Sequence, residues 1–194
     1  MREAALTTHE QESKIVIEQT TNQASAIELA AWLTAKNPVV SNIQHQIIVA
    51  GVVERDGRYL VIEEMAEGRR VINQPAGRLE KDESASDGAM RETLEESGYL
   101  FMAEALVGLY HWFHPEKNTL YLRMAFTGQL IDQGEVKPLD PEILAVRWMS
   151  IAELEAESER LRSPFVLQCI RDHAQGIRFP LDVVRYFPND NAQS

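Results

Sequence analysis

The spacing of apolar residues changes several times along the chain, and each change predicts a different element. Near the start, Ser25 and Glu28 have the spacing of a capping box, and apolar residues at helical intervals follow them. This pattern predicts a short helix over residues 25–36. Its apolar face includes Trp32 and Leu33 and is too large to leave in water, so we expect it to pack on the main domain or on a second subunit.

Strand-like alternation begins near residue 45. The segments 46–53 and 58–63 flank Asp56-Gly57, a dipeptide typical of two-residue turns, so we expect a β-hairpin to open the main domain. A second helix is predicted over 84–97, with Ser84 as its N-cap and Gly98 as the left-handed residue that ends it. The same reasoning predicts strands at 71–73, 106–113, 120–130 and 143–149, and helices from about residue 151 and over 164–175.

Strands interspersed with helices in this order predict an α/β sandwich built on a mixed sheet. The 194 residues have room for one ordinary domain, but not for two catalytic domains. We expect an N-terminal extension over 1–44 with one short helix, a main domain over 45–187, and a flexible tail over 188–194.

Composition and charge narrow the classes of function. Hydrophobic residues make up 44% and charged residues 25% of the chain, which is typical of globular proteins. The 19 basic and 30 acidic side chains give a net charge of −11, and such a field repels nucleic acids and anionic membranes. No apolar stretch approaches the roughly 20 residues that span a bilayer. Cys169 has no second cysteine to pair with, and no apolar leader opens the sequence, so we expect a cytoplasmic protein.

The second predicted helix carries an unusual concentration of carboxylates. Glu92, Glu95 and Glu96 are at i, i+3 and i+4, so they project from one face, where their mutual repulsion disfavours folding unless a cation offsets it. Clustered hard oxygen ligands are typical of Mg²⁺ or Mn²⁺ sites that substrate phosphates complete. We expect the opposite face, which carries Met90 and Leu94 with Ala89 and Thr93 beside them, to pack on the sheet.

The stretch from 77 to 99, GRLEKDESASDGAMRETLEESGY, resembles the Nudix box, G-x5-E-x7-R-E-U-x-E-E-x-G-U, where U is a bulky aliphatic residue. Two packing positions depart from the pattern, with Thr93 at the first aliphatic position and Tyr99 at the last. The other specified positions all match: Gly77, Glu83, Arg91, Glu92, Glu95, Glu96 and Gly98. The chain is therefore similar to Nudix hydrolases.

The likeness extends from about residue 46 to 184. The segments INQPAGRLE, HWFHPEKNTLYLRMAF and LRSPFVLQCIRDHAQGIRFPLD resemble the NudJ-type phosphatases of bacteria, although Ile72 stands where a Trp is common and Arg78 where a His is common. This resemblance implies a Nudix α/β/α sandwich. It also implies hydrolysis of nucleoside tri- and diphosphates, or of the thiamin precursor hydroxymethylpyrimidine diphosphate, with Mg²⁺ as cofactor and Mn²⁺ as a substitute.

Carried over position by position, the resemblance makes the three glutamates of the second helix metal ligands, together with the carbonyl of Gly77. It makes Arg91 and Glu83 the supports that keep these ligands ionised and oriented, and either Glu95 or Glu96 the catalytic base. A further carboxylate is expected from a loop after the central strands, where the candidates are Glu135, Asp140 and, ranked first, Glu142.

A chain of charge −11 needs local positive charge to attract a polyanionic substrate. Arg78, Lys81 and Arg123 are the candidates, although Arg78 fits a solvated loop equally well.

Aromatic residues offer a stacking face for an organic group. Trp112 and Phe113 are candidates, but alternation along a strand sends one of the two inward, so at most one contacts ligand. His111 and His114 are zinc ligands in a less favoured alternative, since the lone cysteine is far away in sequence.

Two other functions stay open at this stage. One is the hydrolysis of ADP-ribose or a nucleotide sugar, and the other is a Nudix module that senses a nucleotide without cleaving it. Sensor modules usually lack some of the box carboxylates, whereas this chain has them all. We expect a small phosphorylated substrate as the partner, and a monomer or homodimer.

Overall fold

The computed structural model describes residues 43–131, 138 and 140–188, with 28 and 31 as isolated positions. The chain divides into the units Met1–Ile43 and Gln44–Ser194, and the fold given below is that of the second unit. Apart from positions 28 and 31, the helix predicted over 25–36, with its Trp32 and Leu33, lies outside the described residues.

Strands dominate the described part of the second unit, and three α-helices follow or separate them there. The strands are β1 (Gln44–Gly51), β2 (Glu54–Arg55), β3 (Arg58–Ala66), β4 (Arg69–Asn73), β5 (Ala76–Arg78), β6 (Leu100–His114), β7 (Thr119–Ile131) and β8 (Ile143–Met149). The helices are α1 (Ala85–Ser97), α2 (Ile151–Ala156) and α3 (Phe165–Ala174), with short 3₁₀ turns at Ser158–Arg160 and Leu181–Val183. None of the described helices combines the length and apolar character that a bilayer crossing requires.

The strands of the described residues form two four-stranded sheets. In the first sheet the order is β5–β1–β7–β6, with β1 and β7 parallel and the other pairs antiparallel. In the second sheet β3 pairs antiparallel with β2, β4 and β8. The prediction of an α/β sandwich with a mixed sheet is confirmed.

The predicted opening hairpin has the right turn but the wrong first strand. Asp56 and Gly57 have φ angles of 54° and 74°, as a tight primed turn requires, but the turn joins only β2 to β3. Instead of pairing with β3, β1 lies in the other sheet, parallel to β7.

Two buried valines carry the chain from one sheet to the other. The N–H of Val52 donates to the carbonyl of Phe126 in the first sheet at 2.7 Å, whereas the carbonyl of Val53 accepts from Leu60 in the second at 2.9 Å. Because both valines are buried, the run 46–53 resembles one strand in sequence although it contains a crossing.

The buried apolar side chains form two clusters. One packs with α1 and contains Val49, Val53, Leu60, Ala85, Ala89, Phe101, Leu106, Met124 and Phe126. The other packs with α2 and α3 and contains Val52, Val61, Ile72, Val107, Met149, Leu154, Phe165 and Ile170.

The face that α1 buries agrees only in part with the one predicted from its sequence. Ala89 and Thr93 are buried as expected, whereas the larger Met90 and Leu94 are only half-buried. Two of the glutamates expected on the ligand face are buried as well, and the helix packs through its small residues. At Gly51 of β1, an added Cβ would lie 2.4 Å from the Thr93 hydroxyl, so a glycine on the strand permits this approach.

This contact gives a first prediction. Gly51→Ala is expected to lower the free energy of unfolding by about 1–3 kcal/mol, as overpacking usually does. The double variant Gly51→Ala/Thr93→Ala should lose less stability than the two single variants together, because the second change removes the clashing hydroxyl. Urea unfolding measures all three, and strict additivity would contradict the contact.

Candidate active site

Local sequence signals place the acidic helix as expected. Ser84 accepts a hydrogen bond from the N–H of Asp87 at the start of α1, and Gly98 ends the helix with a φ of 76°. The N–H of Gly98 donates to Leu94, which satisfies one carbonyl of the last turn. The capping predicted from the sequence is confirmed, and it fixes where each glutamate lies along the helix.

Arg91 connects the loop before α1 to the helix through a set of charge-assisted hydrogen bonds. Its Nε and Nη2 donate to the two carboxylate oxygens of Glu83 at 2.9 and 2.8 Å. Its Nη1 donates to Glu92 at 2.8 Å and to Glu95 at 3.0 Å. The guanidinium therefore binds three carboxylates at once, and it offsets the repulsion expected between glutamates one turn apart.

Burial and ion pairing act on these carboxyl groups in opposite directions. The hydrogen bonds from Arg91 hold the pKa of Glu83 below its ordinary value. For Glu92, burial raises the pKa despite the same guanidinium. The pKa of Glu96 is raised to about 8, chiefly by burial, with the hydrogen bond from the Ala76 N–H (2.7 Å) opposing the shift and nearby carboxylates adding to it. Arg91 alone therefore does not keep the whole cluster ionised.

Gly77 provides the backbone surface that faces the cluster. A Cβ at this position would lie 2.1 Å from one carboxylate oxygen of Glu92 and 2.4 Å from the other. Only glycine leaves space for that carboxylate beside β5. The oxygens gathered here are carboxylates and backbone carbonyls, which are the donors that Mg²⁺ and Mn²⁺ prefer. The residues therefore fit a hard divalent cation.

Two further carboxylates lie near Glu96. Glu64 was not singled out from the sequence, and Asp140 was a candidate that was not ranked first. Both raise the pKa of Glu96, which shows that their charges lie close to it. The N–H of Asp140 donates to the carbonyl of Glu95 at 2.9 Å, whereas Glu142 is exposed and donates its own N–H to Asp140. The geometry thus favours Asp140 over Glu142 as the additional loop carboxylate, and Glu135 lies outside the described residues.

As the side chains stand, no three His, Cys, Asp or Glu groups of the described residues surround one point closely enough to hold an ion. Two oxygens of the glutamate cluster are instead paired with Arg91. The alternative of a zinc site finds no support, since His111 is exposed, and His114, three residues along the same strand, is half-buried and lines a cavity.

The cavity has a volume of about 540 Å³ and adjoins the carboxylate cluster at Ala76, whose N–H binds Glu96. Trp112 and Tyr121 form an aromatic wall, with ring centroids 6.1 Å apart and planes inclined by 23°. The charged side chains that line it are Arg69, Lys117, Arg123, Arg162 and Arg171, against the single carboxylate Glu67. A positive cavity in a protein of charge −11 suits an anionic ligand with an aromatic or apolar part.

The substrate candidates taken from the sequence separate in space. Trp112 and Arg123 line the cavity, and Phe113 points away from it with 41% of its surface exposed. Arg78 is exposed, and its carbonyl accepts a hydrogen bond from Arg91, while Lys81 is an exposed loop residue. Asn73 and Gln74 accept hydrogen bonds from Arg123. The sequence gave no sign of this role, because the two residues were notable only for preceding Pro75.

Comparison with known proteins agrees with this geometry. The family model of the NUDIX domain matches residues 44–169. The Escherichia coli K12 protein Phosphatase NudJ is 37% identical over 141 residues, which cover 73% of this chain and 91% of that protein. A NUDIX hydrolase structure from Nitrosomonas europaea superposes with a TM-score of 0.71 at 41% identity, over 74% of this chain and 98% of that one. The NUDIX domain of Shewanella oneidensis NrtR, complexed with ADP ribose, shares the fold with a TM-score of 0.56 at 15% identity, over 76% of this chain and 97% of that one.

The raised pKa of Glu96 predicts how stability depends on pH without metal. The pKa of Glu96 in the folded protein, about 8, lies above the ordinary value of 4.5. The contribution of this group to stability is therefore fully present below about pH 4.5 and is lost as the pH rises to 8. Each unit of difference between the folded and unfolded pKa corresponds to about 1.4 kcal/mol in the free energy of unfolding. Glu96→Gln should remove this fall and raise the unfolding temperature in chelator at pH 8.5 but not at pH 4.5.

Glu104→Gln, at an exposed position of β6, is the matched control and should follow the wild type. Thermal unfolding of all three proteins across this pH range makes the measurement. Identical pH dependence of the wild type and Glu96→Gln would contradict the assigned pKa.

Proposed function

Because this chain belongs to the Nudix hydrolase family, we propose that it hydrolyses a phosphoanhydride bond in a nucleoside di- or triphosphate, or in a related organic diphosphate such as hydroxymethylpyrimidine diphosphate. Hydrolysis of phosphoanhydrides follows from family membership, and the substrate and the metal are the parts proposed. The name of the relative Phosphatase NudJ favours release of orthophosphate.

The observation that carries the proposal is the contact between the carboxylate cluster and the cavity. The N–H of Ala76 binds Glu96, and the same residue lines the cavity that holds Trp112 and Arg123. A substrate with its anhydride at the carboxylates therefore extends directly into a space with an aromatic wall and an excess of positive charge. Such a space matches an organic group joined to phosphates.

We assign the binding of the cation to Glu92, Glu95 and Glu96, with the carbonyl of Gly77 as a further ligand. A bound Mg²⁺ or Mn²⁺ supplies positive charge that stabilises the phosphate oxygens and acidifies an attacking water. Glu95 or Glu96 is the general base that removes a proton from that water. Arg91 is the positioning residue, because it holds two of these carboxylates and connects them to Glu83.

Arg78, Trp112 and Arg123 are the proposed substrate contacts. Trp112 stacks on the organic group, and Arg123 supplies positive charge inside the cavity. Arg78 has an exposed side chain next to the box glycine, from which it reaches a phosphate at the mouth of the site.

Substitution of the proposed ligands tests the catalytic assignment. Glu95→Gln and Glu96→Gln are each expected to lower kcat by at least about 100-fold, because loss of a ligand or base removes stabilisation from the transition state. Both variants should stay folded by circular dichroism, and Glu104→Gln should keep wild-type kcat. Near wild-type kcat in both variants would rule out the assigned roles.

A substrate panel with controlled metal content tests the reaction itself. The panel contains ADP, ATP, hydroxymethylpyrimidine diphosphate, ADP-ribose and a nucleotide sugar, with orthophosphate, pyrophosphate and nucleotide products measured separately. We expect orthophosphate from the first three substrates, no activity in excess chelator, and recovery with Mg²⁺ or Mn²⁺ but little with Ca²⁺, whose larger and more flexible coordination shell suits the site poorly.

Preferred cleavage of ADP-ribose or the nucleotide sugar would replace the proposed substrate class. Tight nucleotide binding without turnover of any compound would identify a sensor instead, and full activity in excess chelator would exclude the metal.

A further inference from the structure

Within the part of the chain that the structure describes, Arg123 is a buried cation without a carboxylate partner. Only 2% of its surface is exposed, and its Nη1 and Nη2 donate to the neutral amides of Asn73 at 3.3 Å and Gln74 at 2.8 Å. Its Nε has no hydrogen-bond partner among the described residues. A desolvated charge in this state is costly, since neutral amides compensate it only in part.

Three other cations of the same cavity are paired with carboxylates. Lys117 pairs with Glu67, Arg162 with Glu64 at 3.0 Å, and Arg171 with Glu155 at 2.6 Å. Arg123 thus differs from these three in both burial and pairing, and from Arg69, which is exposed, in burial. Its positive charge is available for an anionic group that enters the cavity.

Gln74 fixes the direction of the guanidinium. Gln74 is fully buried, and its Nε2 donates to the carbonyl of Val166 in α3 at 2.9 Å. This bond directs the amide oxygen of Gln74 towards Arg123, where it accepts at 2.8 Å. Helix α3 therefore helps to set the position of a cavity cation that lies on β7.

The register of the strands places Arg123 between the carboxylates and the aromatic wall. Ile48 of β1 pairs with Arg78 on one side and with Arg123 on the other, so one residue separates the box from the cavity cation. Asn73 donates to Glu64 at 3.3 Å and accepts from Arg123. On the other side, Tyr121 lies two residues before Arg123 on the same face of β7.

We propose that Arg123 binds an anionic oxygen of the phosphate that links the cleaved anhydride to the organic group, and that Gln74 is its positioning residue. The inference rests on the proposed function, because it needs the anhydride at the carboxylates and the organic group at the aromatic wall. In that arrangement the linking phosphate crosses the position of Arg123. Arg123 then selects substrates that carry a charge at this phosphate.

The experiment uses two probes with the full-length, Mg²⁺-loaded protein. One is ADP, and the other is ADP with a methyl group in place of a non-bridging oxygen on the phosphate next to the ribose, which removes one charge there. Binding is measured by calorimetry and turnover by orthophosphate release. The wild type should prefer ADP by about 10- to 100-fold, the range of a hydrogen bond to a charged group.

Substitutions at Arg123 separate charge recognition from neutral hydrogen bonding. Arg123→Gln should raise KM and Kd for ADP by about 10- to 100-fold, with a smaller effect on kcat, and should bind both probes almost equally. Arg123→Lys keeps the charge and should retain part of the preference. The unfolding temperature of Arg123→Gln should be unchanged or higher, because the variant removes a buried charge.

Gln74→Glu tests positioning while leaving Arg123 in place. The new carboxylate neutralises the guanidinium, so the preference for ADP over the methylated probe should collapse as in Arg123→Gln. Gln129→Glu, at an exposed position of β7 that does not line the cavity, adds the same charge away from the proposed site and is the control for net charge. A role of Gln74 confined to stability would lower the unfolding temperature without changing this preference.

The outcomes distinguish this inference from the function on which it rests. The wild type could hydrolyse ADP and yet show the same preference for ADP over the methylated probe as Arg123→Gln does. That result would overturn the inference alone. A preference in binding that depends on Arg123, without any turnover, would support the inference and contradict the proposed hydrolysis.

Discussion

The hydrogen bonds from Arg91 to three carboxylates make the acidic helix compatible with a stable fold. Without them, Glu92 and Glu95 would repel each other on one helical face, and Glu83 would have no reason to fold back onto α1. The guanidinium is planar and donates in a fixed fork, so it orients these oxygens as well as neutralising them. The cluster is consequently held by the protein itself, and a cation entering it competes with Arg91 for oxygens of Glu92 and Glu95.

The position of β1 between β5 and β7 connects this cluster to the cavity. The antiparallel pairing with β5 brings Gly77 to Glu92, and the parallel pairing with β7 brings Arg123 to the opposite side of the same strand. Parallel neighbours need a long connection, and here the connection contains β2, β3 and β4 of the second sheet, the box loop, α1 and β6. Residues far apart in sequence therefore meet within the width of three strands.

The sequence-based predictions were accurate where the interactions join residues close together in the sequence. The ends of α1 depend on Ser84 and Gly98, whose hydrogen bonds lie within four residues, and both were predicted. The predictions that were wrong concern contacts between residues far apart in the sequence. The alternation over 46–53 correctly indicated extended chain, but the choice between pairing with β3 or with β7 depended on how two sheets cover one core. The packing face of α1 was likewise predicted only in part. Ala89 and Thr93 are buried as expected, but Met90 and Leu94 are only half-buried, because the small residues permit the close approach to Gly51.

The sequence by itself determined the family, the fold class and the set of box residues, because the box is a contiguous segment with fixed spacings. The tertiary structure decided which charges lie beside that segment. Glu64 and Asp140 come close to Glu96 from a strand and a loop that no local pattern links to the helix. Only the folded chain reveals that Arg123 is buried without a carboxylate partner among the described residues, since its hydrogen bonds come from Asn73 at the end of β4 and from Gln74, which α3 holds in turn. The sequence does not show whether a charged side chain is solvated or buried, because packing in the folded chain decides this. Burial without a neutralising partner is what makes Arg123 available to a substrate.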